Sequence, residues 1–296
     1  GRCLARGPQR PRARGPPRAG PGSRGQGVGI FVDGIASPPL PADDRGLQYG
    51  DGLFETIALV DQQPQHFERH LARMARGAAR LGIACPDAAQ WHADLAHALA
   101  AAPRVDKRVL KLMLTRGSGG RGYAPPPHAR PRRLVQLADW PAWRHDLIDV
   151  GIRVTCCATP LGRNPCLAGI KHLNRLEQVL GSGEVTAAGC EEGLMFDDRD
   201  RLVEGTRTDL FVLVDDEWLT PPVDEAGVAG ILRELILELA PAAGIAVRES
   251  PLPRPLLARV DEMFVCNSLA GVWPVREIIG TVARVFGGFD ATRRLH

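Results

Sequence analysis

The stretch GIKHLNRLEQVL, residues 169–180, carries a lysine at position 171 in a chain that otherwise uses arginine for nearly all of its positive charge. Only three of the 37 basic residues are lysine, namely Lys107, Lys111 and Lys171. Arginine stays protonated in proteins, whereas a lysine amine can lose its proton and attack a carbonyl carbon. The rarity of lysine therefore weakens the ordinary interpretation of Lys171 as a surface charge, without removing it.

Length and composition are those of a globular protein. With 296 residues the chain has room for one large or two ordinary domains, and its 44% apolar share allows a sizeable core. No apolar run approaches the length of a membrane-spanning helix. The seven cysteines show neither paired spacing nor a C-x-x-C motif. They favour reduced thiols in a cytoplasmic protein, and no metal site is predicted.

The basic charge is concentrated in a leader, residues 1–26, which holds seven arginines and no acidic residue. Subtracting these seven from the formal net charge of +3 leaves about −4 for residues 27–296, so no nucleic-acid binding is predicted for that part. The leader is rich in proline and glycine, so we expect it to be disordered, and it lacks the apolar core of a secretory signal. A solvated tail or an over-extended start is favoured; a basic tether for nucleic acid is the alternative.

Hydrophobic periodicity divides the remaining chain into two parts of mixed α+β or α/β character. The smaller part covers residues 27–138, a connector covers 139–151, and the larger part covers 152–296. Each part combines short apolar strands with two segments of helical spacing. These helical segments are residues 66–83 and 87–102 in the first part, and 174–188 and 228–245 in the second.

Lys171 lies just before the third of these helices, after the glycine-containing turn GRNPCLAGI. The spacing of Leu173, Leu176 and Leu180 predicts the apolar face of that helix. We therefore expect Lys171 at the mouth of a packed layer.

Seven segments, which follow one another along the chain, carry a family resemblance. They are DRGLQYGDGLFET (44–56), HLARM (70–74), TRGSGGRGY (115–123), GIKHLNRLEQVL (169–180), EGTRTDLF (204–211), DEAGVAGILRE (224–234) and DEMFVCNSLAGVWPV (261–275). Together they resemble the fold-type IV pyridoxal-phosphate enzymes over about residues 28–278. The resemblance implies a small N-terminal α/β domain and a larger C-terminal domain with a mixed, barrel-like sheet and flanking helices.

The resemblance implies two residues around the cofactor ring. Lys171 matches the lysine that holds pyridoxal 5′-phosphate covalently and then acts as general base. That role requires a neutral amine, and therefore a lowered pKa. Glu204 matches the carboxylate that faces the pyridine nitrogen and keeps the ring protonated. An exposed glutamate in a hairpin is the ordinary alternative for Glu204.

The resemblance also implies a site for the cofactor phosphate. Ile231 and Leu232, at the start of a predicted helix, match residues that donate backbone N–H groups to it. Arg73 matches the phosphate arginine of the small domain, for which a solvated helix face is the alternative. Ser268 lies where a small or hydroxyl residue commonly approaches the same phosphate, and an ordinary structural role is equally compatible with its position.

Within the family, KHLNRLEQ and RGSGGRGY are most similar to the 4-amino-4-deoxychorismate lyases. Aminotransferases of this fold often place a tyrosine four or five residues after the lysine, where this chain has Arg175 and Leu176. The lyases resemble this chain in having arginine, so Arg175 is expected at the cofactor. Arg116 and Arg121, on a glycine-rich loop, are expected to bind substrate carboxylates. A flexible surface loop with incidental arginines is the alternative.

The implied activity is the conversion of 4-amino-4-deoxychorismate to 4-aminobenzoate and pyruvate. One alternative is an aminotransferase of D-amino acids or branched-chain amino acids on the same scaffold. An alternative of another class is a binding module tethered to nucleic acid by residues 1–26. The family further implies a small-molecule substrate, a homodimer, no membrane attachment and a cytoplasmic location.

Overall fold

The computed structural model describes residues 29–36, 38–143, 146–280 and 282–295. In these residues the chain forms one sheet of six strands and one of ten, each packed with helices. The expected leader, residues 1–26, lies outside the described residues.

The first sheet is entirely antiparallel, with strand order β2-β1-β6-β5-β3-β4. Three helices accompany it. Its elements are β1 (Ile30–Val32), β2 (Ile35–Ala36), α1 (Arg45–Tyr49), β3 (Gly52–Val60), β4 (Gln63–Pro64), α2 (Phe67–Leu81), α3 (Ala88–Ala100), β5 (Lys107–Thr115) and β6 (Arg132–Asp139).

The pattern of buried residues accounts for both the sheet and the helix that covers it. In the strand every second side chain is buried, and in the helix buried side chains recur about every four residues. Along β5, Leu110, Leu112 and Leu114 are fully buried, whereas the residues between them are partly exposed. Along α2, Met74 and Ala78 face the same core, and the helix ends at Gly82, whose φ of 62° favours glycine. The helices predicted at 66–83 and 87–102 are therefore confirmed to within a few residues.

The second sheet is mixed, with order β12-β11-β10-β14-β15-β7-β8-β9-β13 and β16 paired to β15. Strand β7 runs parallel to both of its neighbours, and β11 and β12 are also parallel. The elements are α4 (Leu147–Val150), β7 (Ile152–Cys156), α5 (Leu176–Ala188), β8 (Glu192–Phe196), β9 (Arg201–Gly205), β10 (Asp209–Val214), β11 (Glu217–Thr220), α6 (Ile231–Leu239), β12 (Val247–Glu249), β13 (Leu252–Pro253), β14 (Glu262–Asn267), β15 (Gly271–Ile279), β16 (Arg284–Val285) and α7 (Asp290–Arg293).

The structure corrects two predictions about the helices of this second part. Helix α5 exists, but Leu176 and Leu180 are 78% and 61% exposed, so the expected apolar face points outward and packs against no core formed by the described residues. Helix α6 is shorter than the predicted 228–245, because Pro241 begins a separate 3₁₀ turn. Within the described ranges, no helix has both the length and the apolar character needed to cross a membrane.

Candidate active site

A cavity of about 290 Å³ opens where the start of β3 meets the end of β9, the start of β10 and the start of α6. This volume is at the small end of ligand pockets, which measure roughly 300–1,000 Å³. Both sheets contribute to its wall. The side chains and backbone that line it include Phe54, Arg73, Lys171, Arg175, Gln178, Glu204, Arg207, Asp209, Gly230, Ile231 and Ser268.

The segment that carries Lys171 is fixed from two sides by backbone hydrogen bonds. On one side it extends the first sheet, because Phe54 N–H donates to the carbonyl of Lys171 (2.9 Å) and Leu173 N–H donates to that of Gly52 (3.0 Å). On the other side Gly169 exchanges hydrogen bonds with the turn at 227–229. Ile170 packs into the core of the first sheet. The lysine is therefore placed by main-chain geometry.

The electrostatic surroundings of Lys171 favour its neutral form. Burial is the main reason that its pKa falls from 10.5 to about 8, and the positive charges of Arg73 and Arg175 lower it further. The ring of Phe54 lies over the amine, with its centroid 4.5 Å from Nζ. A larger fraction of this amine is therefore neutral near pH 7 than for an ordinary lysine, and a lowered pKa is what the family resemblance requires of Lys171.

Arg175 braces the same segment from within the cavity. Its Nε donates to the carbonyl of His172 (2.9 Å), and its Nη2 donates to that of Ile170 (3.0 Å). These two carbonyls flank Lys171 in the chain. Arg175 therefore holds the turn and places a positive charge in the cavity.

Glu204 is a buried carboxylate at the end of β9. Its Oε1 accepts a hydrogen bond from Gln178 Nε2 (3.0 Å), and its Oε2 accepts one from the backbone N–H of Val228 (2.8 Å). Burial raises its pKa, and the charge of Arg175 opposes that rise. A cationic ring N–H against this carboxylate would supply the countercharge that a buried anion needs.

Arg73 is held in the cavity wall by two residues that the sequence analysis did not single out, Glu55 and His70. Arg73 Nε donates to Glu55 Oε1 (2.9 Å), and Nδ1 of His70 lies 2.6 Å from Glu55 Oε2. All three side chains are at least 95% buried. Burial alone would raise the pKa of Glu55, but Arg73 and His70 outweigh it and hold that pKa at about 2. Arg73 also donates to the carbonyl of Ala229 (2.7 Å), beside the start of α6.

The start of α6 offers an anion site beside Arg73. Gly230 precedes the helix and no described side chain caps it, so the first backbone N–H groups have no intrahelical acceptor. Gly230, Ile231 and Ser268 line the cavity. The side chain of Leu232 does not line it and packs instead near the core beneath the helix. Its predicted contribution is through the backbone alone.

The structure does not bring Arg116 to the cavity, which corrects the prediction that it binds substrate. Its Nε donates to Asp51 (2.7 Å), and its two terminal nitrogens donate to the carbonyls of Gly82 and Leu81 (2.7 Å each). The side chain is buried, and its donors serve to anchor the loop. Arg121 is exposed and lies outside the cavity lining.

The donor set fits pyridoxal 5′-phosphate. The cavity offers an amine for the aldehyde, a carboxylate for the ring nitrogen, and an arginine with a helix start for the phosphate. Because Gly230 has no side chain, the carboxylate of Asp209 packs directly against the start of α6. A Cβ there would lie 1.7 Å from Asp209 Oδ2.

Three buried residues of the site were missed from sequence, and a signal existed for two of them. Glu55 shares the parity of Leu53 and Ile57 in β3, so period-two alternation places it on the buried face with them. His70 likewise shares the helical spacing of Phe67 and Met74 in α2, which places it on the buried face of that helix. No comparable pattern marked Asp209, which takes its place from contacts between distant segments.

Comparisons with known proteins agree with this geometry. The family described as amino-transferase class IV matches residues 52–278. An aminodeoxychorismate lyase of Vibrio harveyi is 34% identical over 90% of this chain and 97% of its own length. A crystal structure of 4-amino-4-deoxychorismate lyase from Pseudomonas aeruginosa has a TM-score of 0.84 and 42% identity, covering 90% of this chain and 96% of that one. A D-alanine aminotransferase of Bacillus licheniformis is 28% identical over 80% of this chain and 82% of its own length. The expected family is confirmed: the chain belongs to the class IV aminotransferase family, whose members are pyridoxal-phosphate-dependent.

Proposed function

We propose that this chain is a pyridoxal-phosphate-dependent lyase that converts 4-amino-4-deoxychorismate to 4-aminobenzoate and pyruvate. The observation that carries the proposal is the similarity, over about nine-tenths of the chain, to two proteins named as lyases of this kind. The family match, residues 52–278, includes every residue of the cavity wall. Folds of this type host several reactions, so the site must supply the chemistry.

The residues present give each part of the cofactor a partner. Lys171 would hold the aldehyde carbon, and Glu204 would hold the ring nitrogen in its protonated form. Arg73, Ser268 and the backbone N–H groups of Ile231 and Leu232 would bind the phosphate. When bound, the cofactor supplies an aldehyde that combines with amines and a protonated ring that takes up the electron pair left by a departing proton.

Lys171 Nζ performs the proton transfers of this reaction. Its neutral amine removes the proton from C4, the amine-bearing carbon of the substrate. The electron pair left by that C–H bond then drives the departure of the three-carbon enol ether group. The bond from the ring to the ether oxygen breaks, and the proton taken up by Lys171 is returned to the departing fragment, which leaves as pyruvate. One proton therefore moves from C4 to the leaving group, and the product ring is aromatic.

We propose Arg207 as a further cation for a substrate carboxylate. It lines the cavity, and its side chain is 48% exposed, in contrast to the fully engaged Arg116. Its Nη2 donates to the carbonyl of Glu191, and its Nε lies 3.6 Å from Glu192. Arg121 remains a prediction for the same role from its exposed loop.

The direct test supplies 4-amino-4-deoxychorismate to protein loaded with pyridoxal 5′-phosphate and measures 4-aminobenzoate and pyruvate. We expect equal amounts of both, and none from Lys171→Ala. Lys107→Ala is the matched control and should retain activity, because Lys107 is exposed and lies outside the cavity lining. Absence of 4-aminobenzoate, together with amine exchange between an amino acid and a keto acid, would establish the aminotransferase alternative instead.

The aminotransferase reaction is the second candidate. The similarity to a D-alanine aminotransferase over 82% of its length favours it, and both reactions would use Lys171 and Glu204. Arg175 distinguishes them, since it occupies the position at which aminotransferases of this fold often carry tyrosine.

We further propose that the protein is a homodimer that uses the outward face of α5. Leu176, Val179, Leu180 and Gly183 follow helical spacing, and the first three are 78%, 62% and 61% exposed. The same helix carries Gln178 to the cavity from a different face. Sedimentation velocity should show a dimer that Val179→Glu with Leu180→Glu dissociates. Val285→Glu, at a 75% exposed position elsewhere, should leave it intact. A wild-type monomer at micromolar concentration would contradict the proposal.

A cytoplasmic location is part of the proposal. Its support is the six described cysteines, all of which are free thiols, as expected in a reducing compartment. Fractionation of the source cells would test it.

A further inference from the structure

Asp209 is an ionisable residue of the cavity wall for which the proposed reaction has no role. It is the first residue of β10, and it is 9% exposed. Its carboxylate packs against Gly230, since a Cβ on Gly230 would lie 1.7 Å from Oδ2 and 2.6 Å from Cγ. Gly230 immediately precedes α6, so Asp209 places an acidic group at the end of the cavity that is proposed to receive a phosphate.

This carboxylate has no hydrogen-bond donor among the described residues, unlike the other two carboxylates of the site. Glu55 and Glu204 each accept at least two hydrogen bonds. The hydrogen bonds of the nearby guanidinium groups go to other acceptors: those of Arg73 to Glu55 and Ala229, and those of Arg233 Nη2 to Pro221 and Glu249, while Arg233 Nε has no partner among the described residues. Without a protein donor, the Asp209 anion relies on solvent in the cavity that it lines, and a ligand that displaces this solvent favours the protonated form.

The surrounding charges do not cancel the effect of burial on this carboxylate. Burial raises the pKa of Asp209 to about 7, and the negative charge of Glu204 adds to the rise. The positive charges of three side chains oppose it only in part. The titratable and charged groups that face Asp209 are Glu204 from β9, Arg233 from α6, Arg73 from α2, Lys171 from the segment before α5, and Cys266 from the paired strand β14.

We propose that Asp209 takes up a proton when a phosphate group binds at the start of α6, so that cofactor retention weakens as pH rises above neutrality. This inference rests on the proposed function, because it takes the cofactor phosphate as the anion. A second negative charge close to Asp209 disfavours the charged form of its carboxylate, and uptake of one proton by that carboxylate relieves the repulsion. Below about pH 7 Asp209 is already protonated, so phosphate binding requires no proton uptake. Above that pH, Asp209 must take up a proton when the phosphate binds, and the affinity falls as pH rises.

The test measures binding of pyridoxine 5′-phosphate to the full-length protein by calorimetry from pH 6 to pH 9. This ligand has the phosphate but no aldehyde, so it cannot bond to Lys171. The matched variant is Asp209→Asn, which preserves shape and cannot ionise; Asp209→Ser serves if the first variant does not fold. Lys171 and Glu204 also titrate in both proteins. The informative quantity is therefore the difference between the pH dependence of the dissociation constant in the wild type and that in the variant.

We expect the wild-type dissociation constant to rise between pH 7 and pH 9 by at least about tenfold more than that of Asp209→Asn, as one proton demands. At pH 8, calorimetry in buffers of different ionisation enthalpy should show the wild type taking up more protons than the variant, by a difference approaching one. Equal pH profiles and equal proton uptake would overturn the inference and leave the proposed function standing. If pyridoxine 5′-phosphate binds at no pH, the proposed cofactor site fails as well.

Discussion

Phe54 and Lys171 are joined both through the backbone and through their side chains. The N–H of Phe54 donates to the carbonyl of Lys171 at 2.9 Å, and the ring of Phe54 lies 4.5 Å from the lysine amine. The hydrogen bond belongs to the first sheet, whereas the amine points into a cavity walled largely by the second. The position of the reactive amine thus depends on both parts of the chain.

The lowered pKa of Lys171 predicts when the amine reacts. A neutral amine is required for attachment of pyridoxal 5′-phosphate, and that form predominates above about pH 8 instead of above 10.5. The attachment rate should therefore rise with pH up to about 8 and then level off. Absorbance-monitored reconstitution of the cofactor-free protein measures it, and a rate that still climbs beyond pH 10 would contradict the lowered pKa.

Glu55→Gln tests the buried partner of Arg73. The change leaves a buried guanidinium without its countercharge, which we expect to cost about 3 kcal/mol or more of unfolding free energy. Denaturant unfolding measures it. Glu68→Gln is the matched control: it removes from α2, the helix that carries Arg73, an exposed partner of His92 on α3, and should cost less than about 1 kcal/mol.

The ion pair between Glu55 and Arg73 should make the stability of the folded protein depend on pH in acid. The pKa of Glu55 is about 2 in the folded protein and 4.5 ordinarily, so its stabilisation is present above about pH 4.5 and is lost as pH falls towards 2. The stability difference between wild type and Glu55→Gln should therefore shrink in that window. A difference that stays constant from pH 6 to pH 2.5 would show that charge is not its origin.

Glu204→Gln tests the partner of the cofactor ring. Glutamine retains an oxygen to accept from Val228 N–H but removes the negative charge, so the fold should survive while turnover falls on the order of a hundredfold. Product formation at saturating cofactor measures this. Turnover within threefold of wild type would mean that Glu204 does not face the ring nitrogen.

Gly230→Ala tests the close approach at the start of α6. The new Cβ would lie 1.7 Å from Asp209 Oδ2, so the Asp209 carboxylate must leave its position at the start of α6, and phosphate binding should weaken at least about tenfold. The backbone of Gly230 has an ordinary φ of −68°, so strain in that torsion contributes nothing. Adding Asp209→Ala should restore much of the binding, because it removes the clashing group. Undiminished binding by Gly230→Ala alone would contradict the packing.

Sequence reasoning reached most of the site through the family resemblance that its short motifs carry. Lys171, Glu204, Arg73, Ile231 and Ser268 all lie on one cavity wall, as a shared site requires. Arg116 was misplaced because its acceptors, Asp51 and two carbonyls at 81 and 82, come from other segments. A glycine-rich loop looks the same in sequence whether its arginine is free or anchored.

The exposed face of α5 shows a second limit of periodicity. Spacing identifies which side chains share a helix face, and Leu176 and Leu180 do share one. It does not say whether that face packs inside the same chain or remains outside. Only the three-dimensional placement of α5 on β8, through Val185 and Gly181, decides the matter.

The most direct test of the account is to identify the lysine that bonds to pyridoxal 5′-phosphate. Borohydride reduction of the loaded protein, followed by digestion and mass spectrometry, locates the label among only three lysines, Lys107, Lys111 and Lys171. We predict stoichiometric labelling of Lys171 alone. Labelling confined to Lys107 or Lys111, or no labelling at all, would contradict the central claim.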